Sequence, residues 1–296
     1  MAGPIVLLTD FGERDGYVGT MKGVILRINP SVTIVDLSHT IPPQDVTDGA
    51  FVLGTSYRYF PAGSIFVAVV DPGVGSERRA IALSAGAYTF VGPDNGLFTL
   101  VLADFAVPTP DGGGLASLMG TPVTGVVLEK SEYFLPTVSA TFHGRDVFAP
   151  VAAHHSLGVP LAAFGPPLTE VVSLPSQRPR WENGALSGQV IHVDRFGNAI
   201  TNITRAELAR LTLPVVEVVG LQIVGLQHQY AGASGLLALI GSSDRLEIAL
   251  NGGNAAVEFG LAVGTPVVVE EARLVDEARL PSREGSGMID EESRSG

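Results

Sequence analysis

The stretch IFVAVVDPGVGSERR, Ile65 to Arg79, passes from a six-residue apolar run into an acid, a proline and two glycines. The run Ile65–Val70 is short, uninterrupted and rich in β-favouring residues. It reads as an interior strand covered on both faces. Open α/β sheets bind ligands where the carboxyl end of a strand meets a tight, glycine-rich turn. Gly73 and Gly75 carry no Cβ, so backbone there approaches a ligand closely. Asp71 stands at the strand tip, with Arg78 and Arg79 seven and eight residues on. Two readings stand side by side: a site built on Asp71, or a turn capped by Asp71 with two solvated arginines.

Working outward, Ile5–Thr9 reads as a first buried strand that ends in Asp10, Phe11 and Gly12. A helix follows from Tyr17 to Arg27, then a strand over Val32–Leu37 and a helix over Asp45–Tyr59, with apolar residues at Val46, Ala50, Leu53 and Tyr57. Short strands are expected at Ala80–Ala85 and Tyr88–Val91, and a helix over Leu97–Phe105. Strands alternating with helices predict a largely parallel sheet in an α/β domain. Pro108–Gly114 is a surface loop. Asp146 is the expected N-cap of a helix over Val147–His155.

After Ser187 the texture changes to short alternating strands: Val190–Val193, Ala199–Ile203, Val215–Val219, Leu236–Ile240, Leu246–Leu250, Ala255–Phe259 and Pro266–Glu270. Only Arg205–Leu211 reads as helix among them. This predicts a small all-β, barrel-like domain. The expected organisation is an α/β domain over 1–174, a polar linker over 175–187, the β domain over 188–276 and a disordered tail over 277–296.

A hydrophobic content of 46% fills a core readily. The formal net charge is −12 and the only lysines are Lys22 and Lys130, which argues against a nucleic-acid binder that tracks phosphates. With no cysteine, thiol nucleophiles, disulfides and Cys-zinc sites are excluded. No stretch has transmembrane length and no basic, apolar leader is evident, so a cytoplasmic protein without membrane partners is expected.

Among the polar residues, Asp10 alone reads as a turn cap. Two strand-tip acids in one sheet, Asp10 and Asp71, point instead to a ribose diol. Asp71, Arg78 and His143 are candidates to gather around one water. Arg79 points the other way along an extended segment, which favours Arg78. His39, His154 and His155 read as structural, and the spacing of histidines and acids suggests no metal site. In the second domain, Asp194-Arg195-Phe196-Gly197-Asn198 offers an acid for an ammonium, a ring for a base and an amide for a purine edge, or else a plain β-turn. Gly241-Ser242-Ser243-Asp244 is a turn or a small polar nest for a carboxylate.

Taken together, LTDFGERDGYVGTMKG, VVDPGVGSERR, VGPDNGLFT, FHGRDVFAP, VDRFGNAITNI and SDRLEIALNGGNAA resemble the S-adenosyl-L-methionine (SAM) hydrolases, also called SAM hydroxide adenosyltransferases, relatives of the SAM-dependent fluorinases and chlorinases. The resemblance runs from about Ile5 to Glu271. It implies that Asp71, Arg78 and His143 hold and polarise the attacking water and that Asp10 binds ribose. It implies that Asp194 holds the methionine ammonium, and that Phe196, Asn198, Leu250 and Gly252 contact adenine. Ser242 and Ser243 fall on the segment that holds the methionine carboxylate, and Tyr17, Tyr230 and Glu247 on site-lining positions. It further implies no cofactor beyond the substrate SAM, and a homotrimer with sites at subunit interfaces. Two departures from the halogenases stand out: Ser243 where they carry an arginine, and Asp71 where they carry an uncharged residue. The expected reaction is hydrolysis of SAM to adenosine and methionine. A SAM-dependent halogenase and a non-catalytic SAM or adenosine sensor are the alternatives.

Overall fold

The computed structural model describes residues 3–232 and 235–272. The first half contains strands β1 (Ile5–Thr9), β2 (Ile34–Ser38), β3 (Ile65–Val69), β4 (Ala80–Ala85), β5 (Tyr88–Pro93), β6 (Gly114–Ser117), β7 (Val123–Val127) and β8 (Glu170–Ser173). Its helices are α1 (Tyr17–Ile28), α2 (Val46–Ser56), α3 (Thr99–Asp104) and α4 (Ala149–Ser156). Six strands form one sheet in the order β2-β1-β3-β5-β4-β7. The β2, β1, β3 and β5 neighbours run parallel, and β4 pairs antiparallel with both β5 and β7.

The uninterrupted apolar character of β1 and β3 follows from this position, because both of their faces are covered. Val6 and Leu8 of β1 and Phe66 and Ala68 of β3 share a core with Ala50 and Leu53 of α2 and Val101 and Leu102 of α3. Ile5, Leu7, Val67 and Val69 face the other way, against Met21 and Ile25 of α1 and Val151 and Ala152 of α4. Phe66 and Phe90 stack at 5.2 Å, and each is about 1% exposed or less. Burying such a ring stabilises by roughly 2–3 kcal/mol.

The second half carries strands β9 (Arg180–Glu182), β10 (Ala185–Val193), β11 (Ala199–Thr204), β12 (Pro214–Val218), β13 (Leu221–Val224), β14 (Leu236–Ile240), β15 (Arg245–Leu250) and β16 (Pro266–Glu271). Helices α5 (Arg205–Leu208) and α6 (Ala255–Phe259) accompany them. The strands form one antiparallel sheet, β13-β12-β16-β10-β11-β15-β14, with β9 beside β10. A bridge from Gln227 to Leu239 brings its two ends together, so the sheet is nearly closed. β9 and the start of β10 lie within the stretch expected to be linker. The tail expected over 277–296 lies outside the described residues.

Two local expectations change. Ala255–Phe259 is helix rather than strand, because the Asn254 side chain accepts from Val257 N–H at 2.8 Å and caps it, and Gly260 closes it at φ +67°. Asp146 is not an N-cap. The helix begins a turn earlier and passes through a π turn, Gly144–Phe148, before α4. Pro150 has no N–H to give the Asp146 carbonyl, and Leu135 N–H bonds that carbonyl instead at 2.9 Å.

The two halves meet through α2. Phe51 packs with Ile191 of β10 and Ile200 of β11. His192 Nδ1 lies 2.6 Å from Asp48 Oδ1, and its ring stacks on Phe51 at 4.6 Å. No described helix is long and apolar enough to cross a membrane.

Candidate active site

At the tip of β3, Asn95 Nδ2 donates to Val70 O at 2.8 Å and holds the strand end. The chain then turns through Pro72–Gly75. Gly75 has φ +77°, and a Cβ on it would collide with the carbonyl oxygen of Ala140. Glycine is therefore required where the turn touches the segment leading to His143. Ser76 Oγ donates to Gly73 O at 2.6 Å and brings the chain back toward the strand tip.

This return places Arg78 against Asp71. Arg78 Nε donates to both carboxylate oxygens, at 2.9 and 3.1 Å, and a terminal nitrogen reaches Oδ2 at 2.5 Å. The same terminal nitrogen lies 2.8 Å from His143 Nδ1. The side chains are nearly buried, 5% exposed for Asp71 and 10% for Arg78, and the guanidinium also lies over the Phe148 ring at 5.4 Å. Arginine always donates, so His143 Nδ1 accepts and the ring proton belongs on Nε2. Burial, and then the Arg78 charge, lower the His143 pKa below its ordinary 6.5. His143 is therefore neutral at neutral pH, with an N–H free to donate.

Arg79 goes elsewhere. It pairs with buried Asp94 at 2.5 Å, and Asp94 also accepts from Val172 N–H at 2.8 Å. Of the two adjacent arginines, only Arg78 reaches Asp71 and His143.

Asp10 at the tip of β1 accepts from Gln44 N–H at 2.8 Å, with Gln44 at φ +67°. Phe11, Tyr17 and Phe142 form a three-ring cluster with centroids 5.2–5.9 Å apart, so Phe142 links the Asp10 loop to its neighbour His143. Tyr17 is half exposed. The first domain thus gathers Asp10, Tyr17, Asp71, Arg78 and His143 at the carboxyl ends of its parallel strands.

Asp146 supports this arrangement from behind. It is fully buried, accepts from Ser139 N–H at 2.8 Å and takes Arg145 through both oxygens at 2.6 and 3.0 Å. The sequence reading missed this role, as it missed Phe11 and Phe142. The aromatic residues flanking both motifs were the available signal. The buried histidine beside the Asp10 loop, just after β2, is structural, as read: His39 Nδ1 lies 2.9 Å from Thr9 Oγ1 and its Nε2 3.0 Å from Asp36.

In the second domain, Asp194 Oδ1 accepts from Phe196 N–H and Asn198 N–H, both at 2.9 Å, while Oδ2 takes Asn198 Nδ2 at 2.9 Å. A side chain on Gly197 (φ +84°) would strike Asn254. The tight turn leaves Phe196 74% exposed, although it is a large apolar ring. Nearby, Tyr230 donates its hydroxyl to Glu247, and burial pushes both groups' pKa values up, with Asp194 adding to each shift. Gly241 has no side chain because one would collide with Glu247. Ser242 is exposed, and Ser243 Oγ is buried with no hydrogen-bond partner among the described residues. Leu250 and Gly252 follow at the end of β15.

The site residues thus form two clusters, one per domain. Among the described residues, no hydrogen bond or ion pair joins Asp10, Asp71, Arg78 or His143 to Asp194, Phe196 or Asn198.

The sequence matches the profile of the SAM hydroxide adenosyltransferase N-terminal domain over residues 5–165 and that of the C-terminal domain over 188–268. It is 39% identical over 279 residues to an (R)-S-adenosyl-L-methionine hydrolase of Thermus thermophilus, covering 89% of this chain and 98% of the relative. A Salinispora arenicola protein of the same name is 40% identical over 254 residues, covering 85% and 92%. A fluorinase of an Actinoplanes species is 28% identical over 305 residues, covering 90% and 97%. Among solved structures, an uncharacterised conserved protein of Thermotoga maritima superposes with a TM-score of 0.80 at 34% identity, covering 90% of this chain and all of that one.

Proposed function

The chain belongs to the SAM hydroxide adenosyltransferase family, and from that premise we propose that it hydrolyses S-adenosyl-L-methionine to adenosine and L-methionine. The observation that carries this reading is the guanidinium of Arg78 bridging Asp71 and His143 at a strand tip. Water attacks the ribose 5′ carbon as the carbon–sulfur bond breaks, and methionine leaves as a neutral thioether. The leaving group needs no acid, so the demand falls on placing the water and removing its proton. Asp71 accepts a hydrogen from the water and takes its proton. Arg78 fixes Asp71 and His143 in register, and the Nε2–H of His143 faces the developing hydroxide. Asp10 takes the ribose diol beside Tyr17. Asp194, with Glu247 and Tyr230, receives the methionine ammonium, and Ser242 and Ser243 receive its carboxylate. Phe196, Asn198, Leu250 and Gly252 hold the adenine. No cofactor is required.

The rival outcome in this superfamily is halogenation. Water can donate a hydrogen to Asp71 while directing a lone pair at carbon, whereas chloride has nothing to donate. Arg78 is already engaged by Asp71 and His143, so it offers an anion little compensation. Incubation with SAM should therefore give adenosine even in concentrated chloride, as read by chromatography with mass detection. A dominant 5′-chloro product would overturn this.

The lowered His143 pKa fixes the sign of the acid limb. Protonating Nδ1 sets two donors against each other and two like charges 2.8 Å apart. The stability that neutral His143 contributes is complete above its ordinary 6.5 and is lost as pH falls through the lower folded-state value. kcat/KM should hold down to pH 6.5 and decline only at lower pH, and His143→Gln should move that limb. A decline centred at or above pH 6.5 contradicts the assignment.

We further propose a homotrimer in which the first domain of one subunit faces the second domain of the next. Two half-sites, one in each domain and joined by no hydrogen bond or ion pair among the described residues, support this, because a heterologous contact between them closes into a ring. Asp71→Asn and Asn198→Ala subunits, each inactive alone, should regain activity when dissociated and reassembled together. Heterotrimers that form without regaining activity would place the site within one chain.

A further inference from the structure

Between the two domains of one chain lies a cavity of about 270 Å³, away from Asp71, Arg78 and His143. Its apolar walls are Phe51 of α2, Leu100 of α3, Leu174 just after β8, and Ile191 of β10. The segment 174–179 straps one side, held by Asn202 Nδ2 donating to Gln177 O. The charged residues in the wall are Arg178, Glu207 and Arg245, two cations against one acid in a chain of net charge −12.

Arg245 has no carboxylate of its own. It makes no ion pair among the described residues, and its hydrogen bond is from Nη1 to the Asn202 carbonyl at 3.1 Å. The neighbouring acids are committed elsewhere. Asp104 pairs with Arg58 at 2.5 Å and also takes the Tyr57 hydroxyl. Asp244 pairs with Arg205 at 2.6 Å. Glu207 Oε2 caps α5 by accepting from Thr204 N–H and its hydroxyl at 2.7 and 2.9 Å. Burial lowers the Arg245 pKa from its ordinary value, and the charges of Glu207, Asp104 and Asp244 offset that only in part. A desolvated guanidinium is suited to a carboxylate, which it meets with two parallel hydrogen bonds.

We propose that this interdomain cavity is a binding site for a small organic carboxylate with an apolar body, the carboxylate on Arg245 and the body against Phe51, Leu100 and Ile191. Arg178, exposed on the strap, adds a second positive charge at the mouth. The occupant would touch α2, α3, the strap and the β domain together, so it would stabilise their mutual placement by mass action. This inference stands independently of the hydrolase reading.

The test is calorimetric titration of the full chain with sodium hexanoate at constant ionic strength, with hexan-1-ol as the uncharged control. One site per chain is expected, with a Kd of about 1 mM or tighter, the affinity about eight heavy atoms reach at ordinary ligand efficiency. Hexanol should bind at least ~10-fold more weakly, since a charge-assisted pair contributes about that factor or more. Arg245→Met should weaken hexanoate by a similar factor. Ala103→Trp, at an exposed helical position on the cavity wall, should abolish binding and keeps the test decisive if Arg245→Met does not fold. Absence of saturable heat, hexanol binding as tightly as hexanoate, or binding that survives Ala103→Trp would each overturn the proposal.

Discussion

Asp71→Asn lowers SAM turnover by about 10²–10⁴-fold, the usual effect of losing a positioned base, while KM for SAM stays close to that of the parent. The split between kcat and KM follows from the proposed role, because Asp71 acts on the water and not on SAM. Asparagine keeps the shape and can still offer its carbonyl to Arg78, so the fold should survive. Removing the charge nevertheless leaves an almost buried guanidinium without its partner (10% exposed). Breaking such a pair outright costs roughly 3–5 kcal/mol. Kinetics should therefore be read beside a melting curve. A parental kcat in a folded Asp71→Asn protein would reduce the Asp71–Arg78 pair to a structural brace.

Gly75→Ala is expected to damage both stability and turnover. At φ +77° an alanine costs about 1–2 kcal/mol in strain alone. Its Cβ also meets the Ala140 carbonyl, a backbone atom that cannot rotate away. The turn carrying Arg78 and the segment carrying His143 must then separate, which pulls apart the 2.8 Å contact between them. Gly220→Ala, in the turn between β12 and β13, is the control, with the same φ (+77°) but open space around its Cβ. Melting temperature should fall by several degrees more for Gly75→Ala than for Gly220→Ala, and only Gly75→Ala should show a large loss of kcat from displaced catalytic groups. Equal effects would show that the contact with Ala140 does not set the site.

Much of this arrangement was legible in the chain itself. Ile65–Val70 announced a strand buried on both faces, and the glycines after it announced the turn, because both depend on local pattern. Ala255–Phe259 deceived because its alternation imitates a strand, while the decisive signal was the capping residue Asn254 just before it. β13 went unread. So did the Asp48–His192 contact between domains, since a pair 144 positions apart leaves no periodic trace. Asp146 was placed in the right helix with the wrong task. Its actual partners, Ser139 N–H and the guanidinium of Arg145, are set by how the preceding loop folds back. For the second domain, the sequence suggested either a turn or a ligand grip at Asp194. The structure shows the turn, with Phe196 left outward.

The π turn at Gly144–Phe148 ties the aim of His143 to the length of one helix. It accommodates an extra residue in the helix just after His143. A one-codon deletion there would let the helix run on as an ordinary α-helix. His143 and the residues next to it would then swing by about 100°, one residue's share of a 3.6-residue turn. Val147, Phe148 and Ala149 are fixed in the core, so the swing would fall on the His143 side, and His143 would no longer point at Arg78. A single deletion in this helix would thus uncouple His143 from Arg78 with no change to either residue.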